Sequence, residues 1–208
     1  MPLPRNSFNP KFIGLDMSLT STGVCCIRQG NAADDSHPLT GHEILSLTTL
    51  KPLDAGGAIT GVARLFWIRK RLRDTLEGER PRLVAIEGYA HGAEFQAHPL
   101  GEIGGIARLL LWEMGIPFVE VQPTSAKLFI AGDGKAKKPA IRKAIRAKWG
   151  HDIKDNNQAD AYALALLAGV ASSPDATRIG ASECRIVQGL RVHSPHFGEW
   201  RFPLLARA

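Results

Sequence analysis

Short apolar runs that stop abruptly at an acid alternate with longer stretches whose apolar residues recur at helical spacing. Phe12-Ile13-Gly14-Leu15 ends at Asp16, and Leu83-Val84-Ala85-Ile86 ends at Glu87. Runs of this length without polar alternation predict strands buried on both faces. Strands are predicted at Phe12–Asp16, Val24–Arg28, Glu43–Leu50, Arg82–Glu87 and Ile116–Val121. The hydroxyl-rich turn Met17 to Gly23 separates the first two, and Gln29 to Leu39 forms a loop before the third. These connections permit an antiparallel meander.

Val62, Leu65, Phe66, Ile68, Leu72 and Leu76 recur at helical spacing, and a second helix is predicted over Leu100–Met114. Gly101, Gly104 and Gly105 in that second helix are expected to let another backbone approach. Pro123-Thr124-Ser125 opens a short helix, with Thr124 or Ser125 as its cap, and Gly132-Asp133-Gly134 breaks it. A basic helix follows over Pro139–Trp149, then a loop, then an alanine- and leucine-rich helix over Asn157–Val170. Trp67, Trp112 and Trp149 fall on apolar helical faces and are expected in the core.

The fourth and fifth strands, separated by one helix, make a parallel βαβ unit. The predicted fold is therefore α/β, a mixed five-stranded sheet flanked by helices. Residues 12–170 form the domain, residues 1–11 a flexible lead, and residues 171–208 an extension with little sustained periodicity.

Composition narrows the setting. No apolar stretch reaches membrane-spanning length, and Met1 to Phe12 lacks a hydrophobic signal core. The three cysteines, Cys25, Cys26 and Cys184, form no framework and fit a reducing cytoplasm. Charge is unevenly spread. Residues 127–148 carry eight lysines and arginines against the single acid Asp133, in a chain whose net charge is +6. One basic face on a near-neutral body points to a polyanionic partner.

Three distant segments each deliver an acid to an element end: Asp16, Glu87 and Asp160. Carboxylates gathered together repel unless divalent cations neutralise them. Asn157 lies three residues before Asp160 on the same helical face, and Asp155 just precedes that helix. Together these are hard oxygen ligands suited to Mg²⁺, with Mn²⁺ as a substitute. Two such ions activate a water and stabilise the leaving oxygen of a phosphodiester. Lys127, Lys135, Lys137 and Lys138 flank the glycine turn beyond the fifth strand, and Arg142 extends the basic track. Their ammonium groups suit phosphate as point charges, with Lys138 the candidate to approach the scissile group. Tyr89 and Phe95, in the loop after Glu87, are candidates to stack on an unpaired base.

These motifs, taken together, resemble the RuvC family of Holliday junction resolvases, especially the divergent versions carried by bacteriophages. Ile13-Gly14-Leu15-Asp16-Met17-Ser18 through Thr22-Gly23 is similar to the first acidic motif of that family, and Ile86-Glu87-Gly88 to the second. Pro123 to Lys127 with Gly132 to Lys138 resembles its lysine-bearing segment, and Gln158-Ala159-Asp160-Ala161 its final acidic helix. The resemblance covers about residues 12–170. It implies an RNase H-like fold of the retroviral integrase/RuvC superfamily, a homodimer, a divalent metal and paired nicks across a four-way DNA junction. It carries Asp16, Glu87 and Asp160 over as catalytic acids, and Lys127, Lys135 and Lys138 as DNA-contacting or catalytic lysines. The chain departs from the pattern at Asn157, where the family often has an acid or a histidine. Either Asn157 suffices there or Asp155 replaces it.

Other readings stay open on sequence alone. They are an RNase H-like nuclease acting on flaps or RNA–DNA hybrids, a junction-binding protein without catalysis, and an actin-like ATPase or sugar kinase, for which the chain lacks a second nucleotide-binding half.

Overall fold

The computed structural model describes residues 9–30, 37, 39–88, 97–172, 179–195 and 198–201. Strands β1 (Lys11–Asp16), β2 (Thr22–Arg28) and β3 (Glu43–Leu50) form the antiparallel meander. A two-residue hairpin, β4 (Leu53–Asp54) and β5 (Gly57–Ala58), leads into helix α1 (Gly61–Glu79). Strand β6 (Leu83–Glu87), helix α2 (Ala97–Glu113) and strand β7 (Phe118–Val121) make the parallel crossover. Helices α3 (Pro123–Ala131), α4 (Lys138–Trp149) and α5 (Asn156–Ala171) follow. Helix α6 (Ala181–Gln188) and strands β8 (Arg191–Ser194) and β9 (Gly198–Arg201) complete the described chain.

All five expected strands are present, and the sheet is mixed as expected. Its order is β3-β2-β1-β6-β7-β8-β9, with β1, β6 and β7 parallel to one another. Two of its seven strands come from the segment read as an extension. Here α6 packs Ile186 and Val187, and the following turn and strand pack Leu190 and Val192, into the main core. His37 Nε2 lies 3.1 Å from Glu183 Oε2, which ties α6 to the loop after β2. The strands β8 and β9 are only four residues each, too short for a periodic signal to stand out.

Alternation along the central strands divides the core. Ile13, Leu15, Val24, Cys26, Val84 and Ile86 face α1 and α2, whereas Phe12, Cys25, Ile27, Leu83 and Ala85 face α5. The adjacent cysteines thus point to opposite layers, as the strand assignment requires. Helix α5 is buried around its circumference because α3, α4 and α6 cover its outer side.

Small residues set how closely α5 lies on the sheet. A Cβ on Gly14 would sit 1.9 Å from the Ala161 carbonyl oxygen, and one on Gly23 would sit 2.1 Å from that of Asn157. At two of the three α2 glycines, Gly101 and Gly105, a Cβ would meet open space. Close backbone approach does occur between β1, β2 and α5, which is where the acids lie.

Two local expectations are corrected. The cap of α3 is Gln122, without a side-chain bond, because the helix already starts at Pro123 and so takes Thr124 and Ser125 inside its first turn. Trp112 is 45% exposed, not core. Trp149 does pack inward, against Phe129 and Tyr162.

Candidate active site

The parallel pairing of β1 with β6 is what joins the first two acids. Leu15 is in register with Ile86, so Asp16 and Glu87 follow side by side at one sheet edge. Glu87 in turn is in register with Val121, the last residue of β7. Strands in a sheet lie roughly 4.8 Å apart, which keeps these carboxyls within mutual reach. Arg108 of α2 donates to the Glu87 carbonyl oxygen at 3.3 Å and pairs with Glu120 of β7, fixing the end of β6 against its neighbours. No motif marked Arg108 beforehand, although a basic residue on the crossover helix is the available signal.

The turn after β1 is stapled by its own hydroxyls. Thr22 Oγ1 donates to the Ser18 carbonyl at 3.0 Å, holding Ser18 beside Asp16. From the opposite wall, α5 presents Asn157 and Asp160, which are a turn apart on one face. The lysine turn closes the third side. Asp133 Oδ1 accepts from the Lys135 backbone N–H at 2.8 Å, an Asx turn that presents the next residues as α4 begins.

The result is one cavity of about 500 Å³. Asp16, Glu87, Asp160 and Asn157 line it together with Lys127, Lys135, Lys137 and Lys138. Ser18 lines it too, a residue that sequence reasoning placed in the turn but did not assign to the site. Two candidates fall elsewhere. Asp155 is not among the lining residues. Its Oδ1 accepts from the backbone N–H groups of Asn157 and Gln158, at 2.8 and 3.1 Å, as the N-cap of α5. The Asp155 alternative is therefore corrected to a structural cap, and Asn157 is the residue that faces the acids. Arg142 points away as well, donating to the Lys154 carbonyl at 2.6 Å. Tyr89 and Phe95 lie outside the described residues.

Burial raises the Asp16 carboxyl well above its ordinary range, and its hydrogen bond to Glu87 together with the charges of Glu87 and Asp160 pushes it further the same way. Lys138 opposes the shift. Burial also raises Asp160, again against Lys138 and with Glu87 adding to the rise. Lys138 is the positive charge that offsets the gathered acids at both Asp16 and Asp160. Among the described residues, no three His, Cys, Asp or Glu side chains form a ready-made metal cluster. The donor set nonetheless fits a hard divalent cation: it is all oxygen, it is buried at one end, and it cannot ionise fully on its own.

Comparison with known proteins places this arrangement. No family model matches the chain. It is 32% identical to a crossover junction endodeoxyribonuclease RuvC of Gloeobacter violaceus, over 56% of this chain and 68% of that protein. It is 30% identical to the RuvC of Chloroflexus aurantiacus, over 64% of this chain and 85% of that one. Among solved structures, Thermus thermophilus RuvC matches with a TM-score of 0.60 at 24% identity, covering 75% of this chain and 91% of that one. The same protein in complex with a Holliday junction substrate matches with a TM-score of 0.61 at 22% identity, over 76% and 91% of the two chains. The fold is RNase H-like α/β, and the chain belongs to the RuvC family of crossover junction endodeoxyribonucleases.

Proposed function

We propose that this chain is a metal-dependent, structure-selective endodeoxyribonuclease that resolves four-way DNA junctions by paired nicks. The observation that carries the reading is the single cavity in which Asp16, Glu87, Asp160 and Asn157 face four lysines. Asp16, Glu87 and Asp160 would hold Mg²⁺ or Mn²⁺, with Asn157 offering a neutral carbonyl oxygen. Such ions supply an activated water and charge neutralisation at the leaving oxygen.

The chain's own residues divide the remaining work. Asp16, whose carboxyl is raised by burial and by its neighbour Glu87, would ionise on holding a cation. Lys127 and Lys135 grip the phosphate backbone as point charges. Lys137 and Lys138 stand at the N-cap and first residue of α4. A lysine there opposes the helix dipole unless an anion is near, so this pair favours a bound phosphate. Lys138 acts on both Asp16 and Asp160 and is thus the lysine placed to bridge acids and substrate. Lys138→Ala is expected to lower the single-turnover cleavage rate by about 100- to 1,000-fold, the range for removing one preorganised donor from a buried site. An unchanged rate at saturating enzyme would make Lys138 a bystander.

Paired nicks need two active sites, which a homodimer supplies. Val62 and Phe66 of α1 are 80% and 68% exposed, and Leu109 and Trp112 of α2 are 55% and 45% exposed. The ion pairs Arg69–Glu113 (2.6 Å) and Arg73–Glu113 (3.5 Å) hold the two helices side by side. Large apolar side chains on adjoining helices favour a covered face. Phe66→Asp is expected to shift the chain from dimer to monomer in analytical ultracentrifugation. A Phe66→Asp protein that sediments as wild type would exclude this face as the dimer contact.

The function is tested by incubating the protein with a labelled four-way junction, a three-way junction and an RNA–DNA hybrid, with Mg²⁺ and with EDTA. Metal-dependent nicking that selects the four-way junction is the expected result.

A further inference from the structure

A second cavity, of about 720 Å³, opens on the other side of α3. Its walls come from α3, α6 and the start of β8, so the C-terminal segment builds half of it. Helix α3 is the partition: Pro123, Ala126 and Lys127 face the acidic cavity, whereas Ser125 and Leu128 face the second one.

The two cavities share a sheet edge. Phe118 pairs with His193 and Val119 with Val192, so the antiparallel register brings Arg191 beside Glu120. Across this edge stand Asp16 on β1, Glu87 on β6, the end of β7, and then Arg191 on β8. At about 4.8 Å per strand, the backbone of Arg191 lies roughly 10 Å from that of Glu87. That is about one helix diameter, and about three nucleotides of stacked strand at roughly 3.4 Å each.

The lining is rich in donors. Arg185 and Arg191 are exposed and border the groove, with the Gln122 amide and the Ser125 and Ser182 hydroxyls between them. Arg185 makes no ion pair with any described residue. The one acid in the lining, Glu120, is neutralised by Arg108. Guanidinium groups bind phosphate bidentately, and hydroxyl and amide donors complete such a contact. The groove's charge, its donors and its distance from the acids therefore suit the continuation of a bound strand.

Resting on the nuclease reading, we propose that this groove is a second phosphate-binding subsite. It grips the DNA strand a few nucleotides from the cleavage cavity, with Arg185 and Arg191 as its two cationic contacts. The C-terminal segment is then part of the substrate platform.

The test reads binding alone. Junction DNA is titrated with the full-length chain in EDTA by fluorescence anisotropy, at a series of salt concentrations. For the double variant Arg185→Ala/Arg191→Ala, the slope of log affinity against log salt is expected to fall by roughly 1.5 to 2, as two lost phosphate contacts require. Affinity at 0.1 M salt is expected to drop on the order of tenfold to a hundredfold. The Arg185→Lys/Arg191→Lys variant is expected to restore most of the slope, which a folding defect would not do. Ser182→Glu, on an exposed position of the lining, is expected to weaken binding without touching either arginine. Wild-type slope and affinity in both the alanine and the glutamate variants would overturn the proposal. Wild-type protein that binds junctions through the groove but never nicks them would overturn the nuclease reading alone.

Discussion

Asp16→Asn will cut junction cleavage by at least about 10³-fold, some 4 kcal/mol of transition-state stabilisation, while junction affinity stays within a few-fold of wild type. The two effects separate because the carboxylates and the lysines do different work in one cavity. The same substitution will also change stability. Asp16 is buried, and its folded-state carboxyl is raised above its unfolded value. A raised acid means that the folded state holds more protons than the unfolded one. Its contribution to stability is therefore present at low pH and is lost as pH rises from the unfolded value of 3.8 through the raised one. In EDTA, Asp16→Asn is expected to melt higher than wild type, with a larger gap at pH 8 than at pH 5. Adding Mg²⁺ should stabilise wild type and leave the variant nearly unmoved. Equal melting temperatures at both pH values would mean that the carboxyl is not strained by its surroundings.

The second large effect lies in packing rather than chemistry. Gly14→Ala will destabilise the fold by about 3 kcal/mol or more, at the upper end of overpacking costs. The new methyl would lie 1.9 Å from a backbone oxygen and 2.4 Å from the Ala165 backbone nitrogen, and neither can rotate away. Relief requires α5 to lift from β1, which carries Asp160 away from Asp16. Loss of cleavage should thus accompany the drop in chemical-denaturation midpoint. Gly105→Ala, where the added Cβ meets nothing within 4 Å, is the matched control and should not destabilise. A Gly14→Ala protein as stable as wild type would contradict the close contact of β1 with α5.

The fold was legible where burial is extreme. Strands β1 and β6 have no wet face, so their apolar runs could be nothing longer or more amphipathic, and each ends on the acid that follows. That the two acids meet was conditional on the pairing of β1 with β6, which no local pattern states. The lysine turn was legible from charge density and from its glycines. Asp155 was misread because an acid near other acids suggests a ligand. An Asp immediately before a helix also fits an N-cap, the role that its backbone bonds show. Trp112 was misread because an apolar helical stripe looks the same whether the sheet or another surface covers it. Gly14 carried no signal beyond being a glycine in a strand, yet it sets the distance between the acids. The hairpin of β8 and β9 went unseen because four-residue strands leave too few positions for alternation to register.

Acids from β1, β6 and α5 are proposed to cut DNA beside a lysine-lined groove. This is tested most directly by mapping the products of a mobile four-way junction incubated with the protein and Mg²⁺. The account predicts nicks in two opposing strands at related positions, absent in EDTA and absent with Asp16→Asn. An intact junction in the presence of metal, or nicking that persists at full rate in Asp16→Asn, would contradict it.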